Sequence, residues 1–307
     1  MIIIDNAKER KGKAWIAAIG FFDGVHAGHR YIIGEMRRLA DEKGLASAVF
    51  TFPIHPRLVL QSVYQPNLLN SLDEKLQLLA TTGVDYCVVM DFTPELAACP
   101  ASDFIVKILS EQWGVRCLLI GYDHRFGHNR SDGFEQYVEY GKACRMEIIH
   151  TLSYNQDEKA ISSSQIRQLL ADCRVEEAAG LLTYPYRLKG HVVSGYQIGR
   201  TLGFPTANME IDEPCKVLPG VGVYAVWVYV DEVRYKGMLT IGNRPTLNGK
   251  HVSIEVHLLH FSAMIYRQSI EVKFMHYLRE NIKFENPEAL KAQLNKDRQR
   301  VEEILIF

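Results

Sequence analysis

Residues 14–33, AWIAAIGFFDGVHAGHRYII, decide the fold of the first half of the chain. The apolar run at 14–20 reads as a buried strand. Glycines and two histidines follow it. From 28 to 43, Ile32, Ile33, Met36, Leu39 and Ala40 then share one helical face, up to Gly44, a residue suited to a left-handed C-terminal cap. A strand passing through a glycine-rich turn into a helix is the first unit of a parallel α/β sheet.

The same rhythm continues outward. Buried strands are predicted at 45–52, 84–92, 115–121 and 146–151. Between them, Ser71 and Glu74 form a capping box for a helix ending near Gly83, and Ser102 opens another ending near Gly114. Short links of this kind imply a parallel sheet covered on both faces, with ligands at the carboxyl ends of its strands. A helical pair at 162–171 and 175–182 closes this half. Beyond it, Gly and Pro punctuate β-branched and aromatic runs at 187–193, 221–230, 234–241, 252–259 and 269–274, which read as antiparallel strands of a small barrel. A last helix starts after Asn286-Pro287, with Leu290, Leu294 and Val301 in a partial apolar stripe. The predicted fold class is α/β plus β, with domains 1–183 and 184–307.

Bulk properties agree with two soluble domains. The 307 residues are about twice the usual domain length, and 47% are hydrophobic. With 35 basic and 36 acidic residues, no global field draws in nucleic acid or an anionic membrane. The opening MIIIDNAKERKGK is too short in apolar residues for a secretory signal, and the longest apolar run, 221–230, is half of a membrane span. Cys87, Cys99, Cys117, Cys144, Cys173 and Cys215 form no CxxC pair. They read as free thiols in a reducing compartment, and a cytoplasmic protein is expected.

His26 and His29 sit three residues apart at the first turn of the predicted helix. A helix amino end offers unpaired backbone donors and a partial positive charge, so phosphate binds there, and imidazoles added to it would stabilise charge developing on a polyphosphate. Exposed turn histidines are the plainer alternative. The HxGH string after a strand and glycine turn resembles the signature of the nucleotidylyltransferase superfamily, a Rossmann-like fold. ISSSQIRQLL at 161–170 supplies the second phosphate-gripping element of that superfamily.

FDGVHAGH, TFPIHPRLVL, IGYDHRFGHNRSDGF and ISSSQIR together resemble the adenylylating domain of the bacterial bifunctional riboflavin kinases and FAD synthetases, over residues 14 to 180. The resemblance implies adenylylation of FMN to FAD with release of pyrophosphate. It implies an ATP site of Gly20, Phe21, Asp23, His26, His29, Gly127, Asn129, Ser162, Ser164 and Arg167, with His128 and Ser163 beside them, and a flavin side lined by His55 and Pro56. The nucleophile is already an anion, so positioning and charge neutralisation dominate and no general base is assigned.

The second half opens with GHVVSGYQIGRTLGFPTANM, in which Gly195, Gly199 and Gly203 bracket Arg200 and Thr201 ahead of Pro205, Thr206 and Asn208. Glycines let amides approach phosphate, and Thr and Asn oxygens suit Mg²⁺, although such glycines also simply shape turns. GRTLGFPTAN, IGNRPT at 241–246 and SIEVHLL at 253–259 resemble riboflavin kinase. That resemblance implies phosphorylation of riboflavin to FMN. Gly195, Arg200, Thr201, Gly203, Pro205 and Thr206 would lie around ATP, Thr206 and Asn208 would hold the metal, and Glu255 would be the base for a neutral ribityl hydroxyl. Arg279 is read either as a flavin contact or as a surface ion pair among Glu280 and Lys283. Mg²⁺ with ATP as co-substrate is expected, with no tightly bound prosthetic group.

Two departures stand out. His124 takes the place of an aromatic residue, which bears on the nucleotide role of Asp123. His260, Ile265 and Arg267 occupy a loop where the family has an acid and a Leu-Tyr-Gly, which predicts altered flavin affinity. The alternative readings are another HxGH adenylyltransferase and a flavin-binding regulator without turnover.

Overall fold

The computed structural model describes residues 1–9, 14–60, 67–121, 125–128, 131–151, 155–156, 159–194, 202–246 and 249–306. The chain divides into two compact units, Met1–Ser163 and Ser164–Phe307.

The first unit is a six-stranded parallel sheet, β1 (Ile2–Ile4), β2 (Trp15–Ile19), β3 (Ala46–Thr51), β4 (Tyr86–Val89), β5 (Val115–Ile120) and β6 (Glu147–His150), in the order β1-β4-β3-β2-β5-β6. Both faces are covered, and β2 shows why its sequence is apolar throughout. Trp15 and Ala17 join a core with Phe50, Phe104, Ile105 and Trp113, whereas Ile16 and Ala18 join one with Ile33, Met36 and Leu79. Helices α1 (Ala27–Lys43) and α3 (Leu72–Ala80) supply the second core. Between them in sequence lies α2 (Pro56–Leu60). After a short α4 (Pro94–Ala97), α5 (Ala101–Asp103, widening to π geometry over Phe104–Gln112) and α6 (Phe134–Ala143) supply the first core. A two-stranded ribbon, β7 (Asn155–Gln156) and β8 (Lys159–Ala160), completes the unit.

Gly44 caps α1 at φ 65°, and Ser71 and Glu74 form the capping box of α3, as the sequence predicts. Ser102 is not a cap: the helix begins at Ala101, after Pro100, with no side-chain cap bond. The strand order reverses beside β2, since β3 and β4 extend to one side and β5 and β6 to the other. Chains therefore leave the carboxyl ends of β2 and β5 in opposite directions, and a crevice forms there.

In the second unit, α7 (Ser163–Ala171, all but its first residue) and α8 (Val175–Leu182) precede a closed antiparallel barrel. Its strands are β9 (Arg187–Val193), β10 (Ala207–Ile211), β11 (Gly222–Val230), β12 (Val233–Thr246), β13 (Gly249–Leu258) and β14 (Ser269–Arg279), in the order β10-β13-β12-β11-β14-β9, with β9 also paired to β10. β10 is the barrel strand not predicted as one; it begins within the PTAN segment and runs beyond it. Helix α9 (Pro287–Ile304) covers one outer face, with Val301 and Leu305 against Phe204, Val223, Ala225, Trp227 and Met238. That cover explains why β11 is buried on both faces. Glu176 of α8 accepts from the Tyr277 N–H at 3.1 Å and pairs with His276 Nδ1 at 3.1 Å, tying α8 to β14.

Candidate active sites

At the carboxyl end of β2 the chain turns within Gly20–Val25. A Cβ at Gly20 would meet the Phe22 ring at 3.2 Å. Phe22, Gly24 and Val25 all have positive φ (54°, 85° and 36°), a conformation that non-glycine residues adopt at a cost and only when their surroundings hold them. The holders are visible. Asp23, 4% exposed, accepts from the Leu69 and Asn70 amides through Oδ1 at 2.9 and 3.4 Å, and its carbonyl accepts from Ser163 Oγ at 2.9 Å. The Asp23 carboxylate, expected beside nucleotide, thus fastens the turn to residues 69–70. No periodicity or spacing signals that pairing.

The turn delivers His26 as the N-cap of α1, its Nδ1 accepting from the His29 N–H at 3.4 Å. The two imidazoles stack at 3.7 Å between centroids, and the Phe22 ring meets His29 edge-on at 5.1 Å. Burial lowers the His26 pKa to about 4, so the ring is neutral near pH 7. With Nδ1 an acceptor, the proton of the neutral ring resides on Nε2, a hydrogen-bond donor. Gly28 permits this packing, because a Cβ there would lie 3.3 Å from His26 ring atoms. The first intrahelical bond is that from the Arg30 N–H to the His26 carbonyl, so the Ala27 and Gly28 amides stand at the open helix end.

His55 and Pro56 follow β3, where the His55 ring lies 4.8 Å from the Phe21 ring and its Nδ1 accepts from the Arg57 N–H. Gly127, at φ 87°, packs so closely on Ala101 that a Cβ would fall 2.7 Å from the Ala101 nitrogen. His128 donates its N–H to the Cys99 carbonyl. Ser162 is exposed; Ser164 and the half-buried Arg167 belong to α7 in the second unit. Asp123, His124 and Asn129 lie outside the described residues.

In the barrel, β10 and β13 place Asn208 opposite Glu255, and β12 places Thr240 on the other side of Glu255. All three are half-buried. Register partners in an antiparallel pair present their side chains on one face. The His257 ring, whose pKa burial lowers, donates from Nδ1 to the Pro205 carbonyl at 2.8 Å and meets the Phe204 ring edge-on, holding the segment before Thr206 against β13. Gly203 adopts φ 84° just ahead of it. Arg279 stands three strands from Glu255, up to about 14 Å of sheet, in the row Glu255, Thr240, Val223, Arg279. Its Nε and Nη2 go to the nearly buried Asp297 of α9 and its Nη1 to the Glu280 carbonyl. Gly195, Gly199, Arg200 and Thr201 lie outside the described residues. Among the described residues no helix is long and apolar enough to cross a membrane.

A capped helix end at the switch point of a parallel sheet, followed by a small barrel bearing a paired amide and carboxylate, is the framework of a nucleotide-dependent transferase with two catalytic halves. The FAD synthetase family matches residues 8–165 and the riboflavin kinase family residues 182–305. The bifunctional riboflavin kinase/FMN adenylyltransferase of Haemophilus influenzae is 38% identical over 91% of this chain and 90% of its own length, and that of Listeria monocytogenes 36% identical over 92% and 90%. A crystal structure described as a macrolide-efflux protein from Streptococcus pneumoniae has a TM-score of 0.89 and 28% identity, covering 98% of each chain. The chain belongs to the bifunctional riboflavin kinase/FMN adenylyltransferase family.

Proposed function

We propose that residues 1–183 adenylylate FMN to FAD and residues 184–307 phosphorylate riboflavin to FMN, both from ATP, in the cytoplasm. The cysteines among the described residues are free thiols, which suits a reducing compartment. What carries the reading is the succession of two halves, each with its own polar set: His26 and His29 in the first, Asn208 and Glu255 in the second.

In the adenylyl-transfer half, an FMN phosphate oxygen forms a bond to the α-phosphorus of ATP while the bond to the β-phosphate oxygen breaks and pyrophosphate leaves. The Nε2–H of His26, His29 and the amide end of α1 offer donors to the phosphates. His55 and Pro56 line the flavin side. In the kinase half, the ribityl 5′-oxygen attacks the γ-phosphorus, its proton passes to Glu255 and ADP leaves. The hydroxyl of Thr206 and the amide oxygen of Asn208 are hard oxygen donors and fit Mg²⁺, which, when bound, neutralises charge on the ATP phosphates. Among the described residues no three His, Cys, Asp or Glu converge on a metal site.

The test is to incubate purified protein with riboflavin, ATP and Mg²⁺ and to separate the flavins by chromatography. FMN and then FAD are expected. Flavin binding with neither product would mean a regulator instead. His29→Ala should abolish FAD formation and spare FMN formation.

A further inference from the structure

We propose that Lys75 is a positioning residue for adenylyl transfer, a single ammonium that ties the chain leaving β2 toward His26 to the chain leaving β3 toward His55. The proposal rests on the assignment of adenylyl transfer to this half of the chain.

Lys75 lies in α3 and is 3% exposed. Its Nζ donates to the Phe21 carbonyl at 3.1 Å and to the Phe52 carbonyl at 2.8 Å, and it sits 4.0 Å from the centroid of the Phe21 ring. An ammonium has three N–H bonds; two are used on carbonyls and the third side faces the ring. Burial is costly for this charge and lowers its pKa to about 8, against the opposing pull of Asp23 and Cys87. An apolar side chain of the same length would avoid that cost, so the charge is retained for what it holds.

What it holds is the junction of two adjacent parallel strand ends. The Phe21 carbonyl also accepts from Thr51 Oγ1 at 3.1 Å, and the Gly20 N–H donates to the Phe50 carbonyl at 3.0 Å. One residue beyond Phe21 the strained turn begins, clamped from its far side by Asp23 on Leu69 and Asn70 and by Ser163 on the Asp23 carbonyl. Lys75 is the clamp on the near side. Three residues beyond Phe52 stands His55, whose ring packs on the Phe21 ring that Lys75 touches. Lys75 Nζ therefore holds the carbonyls of both loops together, with Thr51 Oγ1 as a second donor to the Phe21 carbonyl. In-line attack requires reacting atoms within about 3.5 Å, and a misplacement of about 1 Å costs roughly a hundredfold.

The experiment uses the full chain and measures kcat and KM for FAD formation from FMN and ATP, with FMN formation from riboflavin in the same preparation as the internal control. Lys75→Met is expected to lower the adenylyl-transfer kcat by about tenfold to a hundredfold, leaving kinase kcat and KM unchanged. Thr51→Val, which removes the second donor to the Phe21 carbonyl with little change of shape, is expected to lower the same kcat by a smaller factor, and it decides the matter where Lys75→Met fails to fold. An unchanged kcat in the folded variants, or an equal loss of both activities, overturns the proposal. A wild-type chain that forms FMN but no FAD overturns the assignment beneath it, and this inference with it.

Discussion

Asn208 on β10 and Glu255 on β13 are register partners, so an amide and a carboxylate face the same side of the barrel one strand apart. A metal held at Asn208 would stand beside Glu255, the carboxylate proposed to take the substrate proton. Glu255→Gln keeps the shape and removes the base. Its kinase kcat is expected to fall by about 10²- to 10⁴-fold, with FAD formation from supplied FMN unchanged, as read by separating the products.

The Arg279–Asp297 pair fastens α9 to β14 with both side chains largely out of water, 19% and 5% exposed. Gln293 Nε2 is a third donor to Asp297, at 2.8 Å. Removing the anion leaves a guanidinium without its partner. Asp297→Ala is expected to destabilise the barrel by about 3 kcal/mol, measured by urea unfolding followed by circular dichroism.

His26 links stability to pH. The unfolded chain takes up this proton near pH 6.5, the folded protein only near pH 4. Between those values the unfolded state binds more protons, so stability falls as pH falls, by about 3 kcal/mol in full. His26→Asn retains an N-cap acceptor and removes the titration. Thermal melts of the variant should lose less between pH 7 and pH 4.5 than those of the wild type.

Gly28→Ala sets two effects against each other. Alanine favours a helix by about 1 kcal/mol over glycine, but its Cβ would stand 3.3 Å from the His26 ring. The ring must move, and the cap with it. FAD formation is expected to drop about tenfold while the melting temperature holds; an unchanged rate would mean that the His26 position tolerates the shift.

The sheet, the barrel and the helix at the switch point are legible in the sequence because their apolar periods are long and their caps sit at the right spacing: Gly44, Ser71 with Glu74, and Asn286 with Pro287. β1 is not, because three residues are too few to show alternation and its pairing with β4 is fixed some eighty residues away. β10 hides for a related reason: PTAN reads as a ligand loop, and its strand character comes from β9 and β13 on either side. Of the site residues, His26 and Glu255 are readable from local strings. Asp23 is readable as present but not as a clamp on residues 69–70, since a carboxylate accepting two distant amides leaves no local trace. Asp297 interrupts the stripe of α9 for the same kind of reason, its partner being Arg279 on a strand.

In the closed barrel, the strand made first in the chain, β9, pairs with both β10 and the strand made last, β14. During synthesis the growing chain therefore carries an unpaired β9 flank until Lys273 has cleared the ribosome. Premature termination upstream of that point would release a product with two open edges, the form in which β-proteins most readily stick to one another.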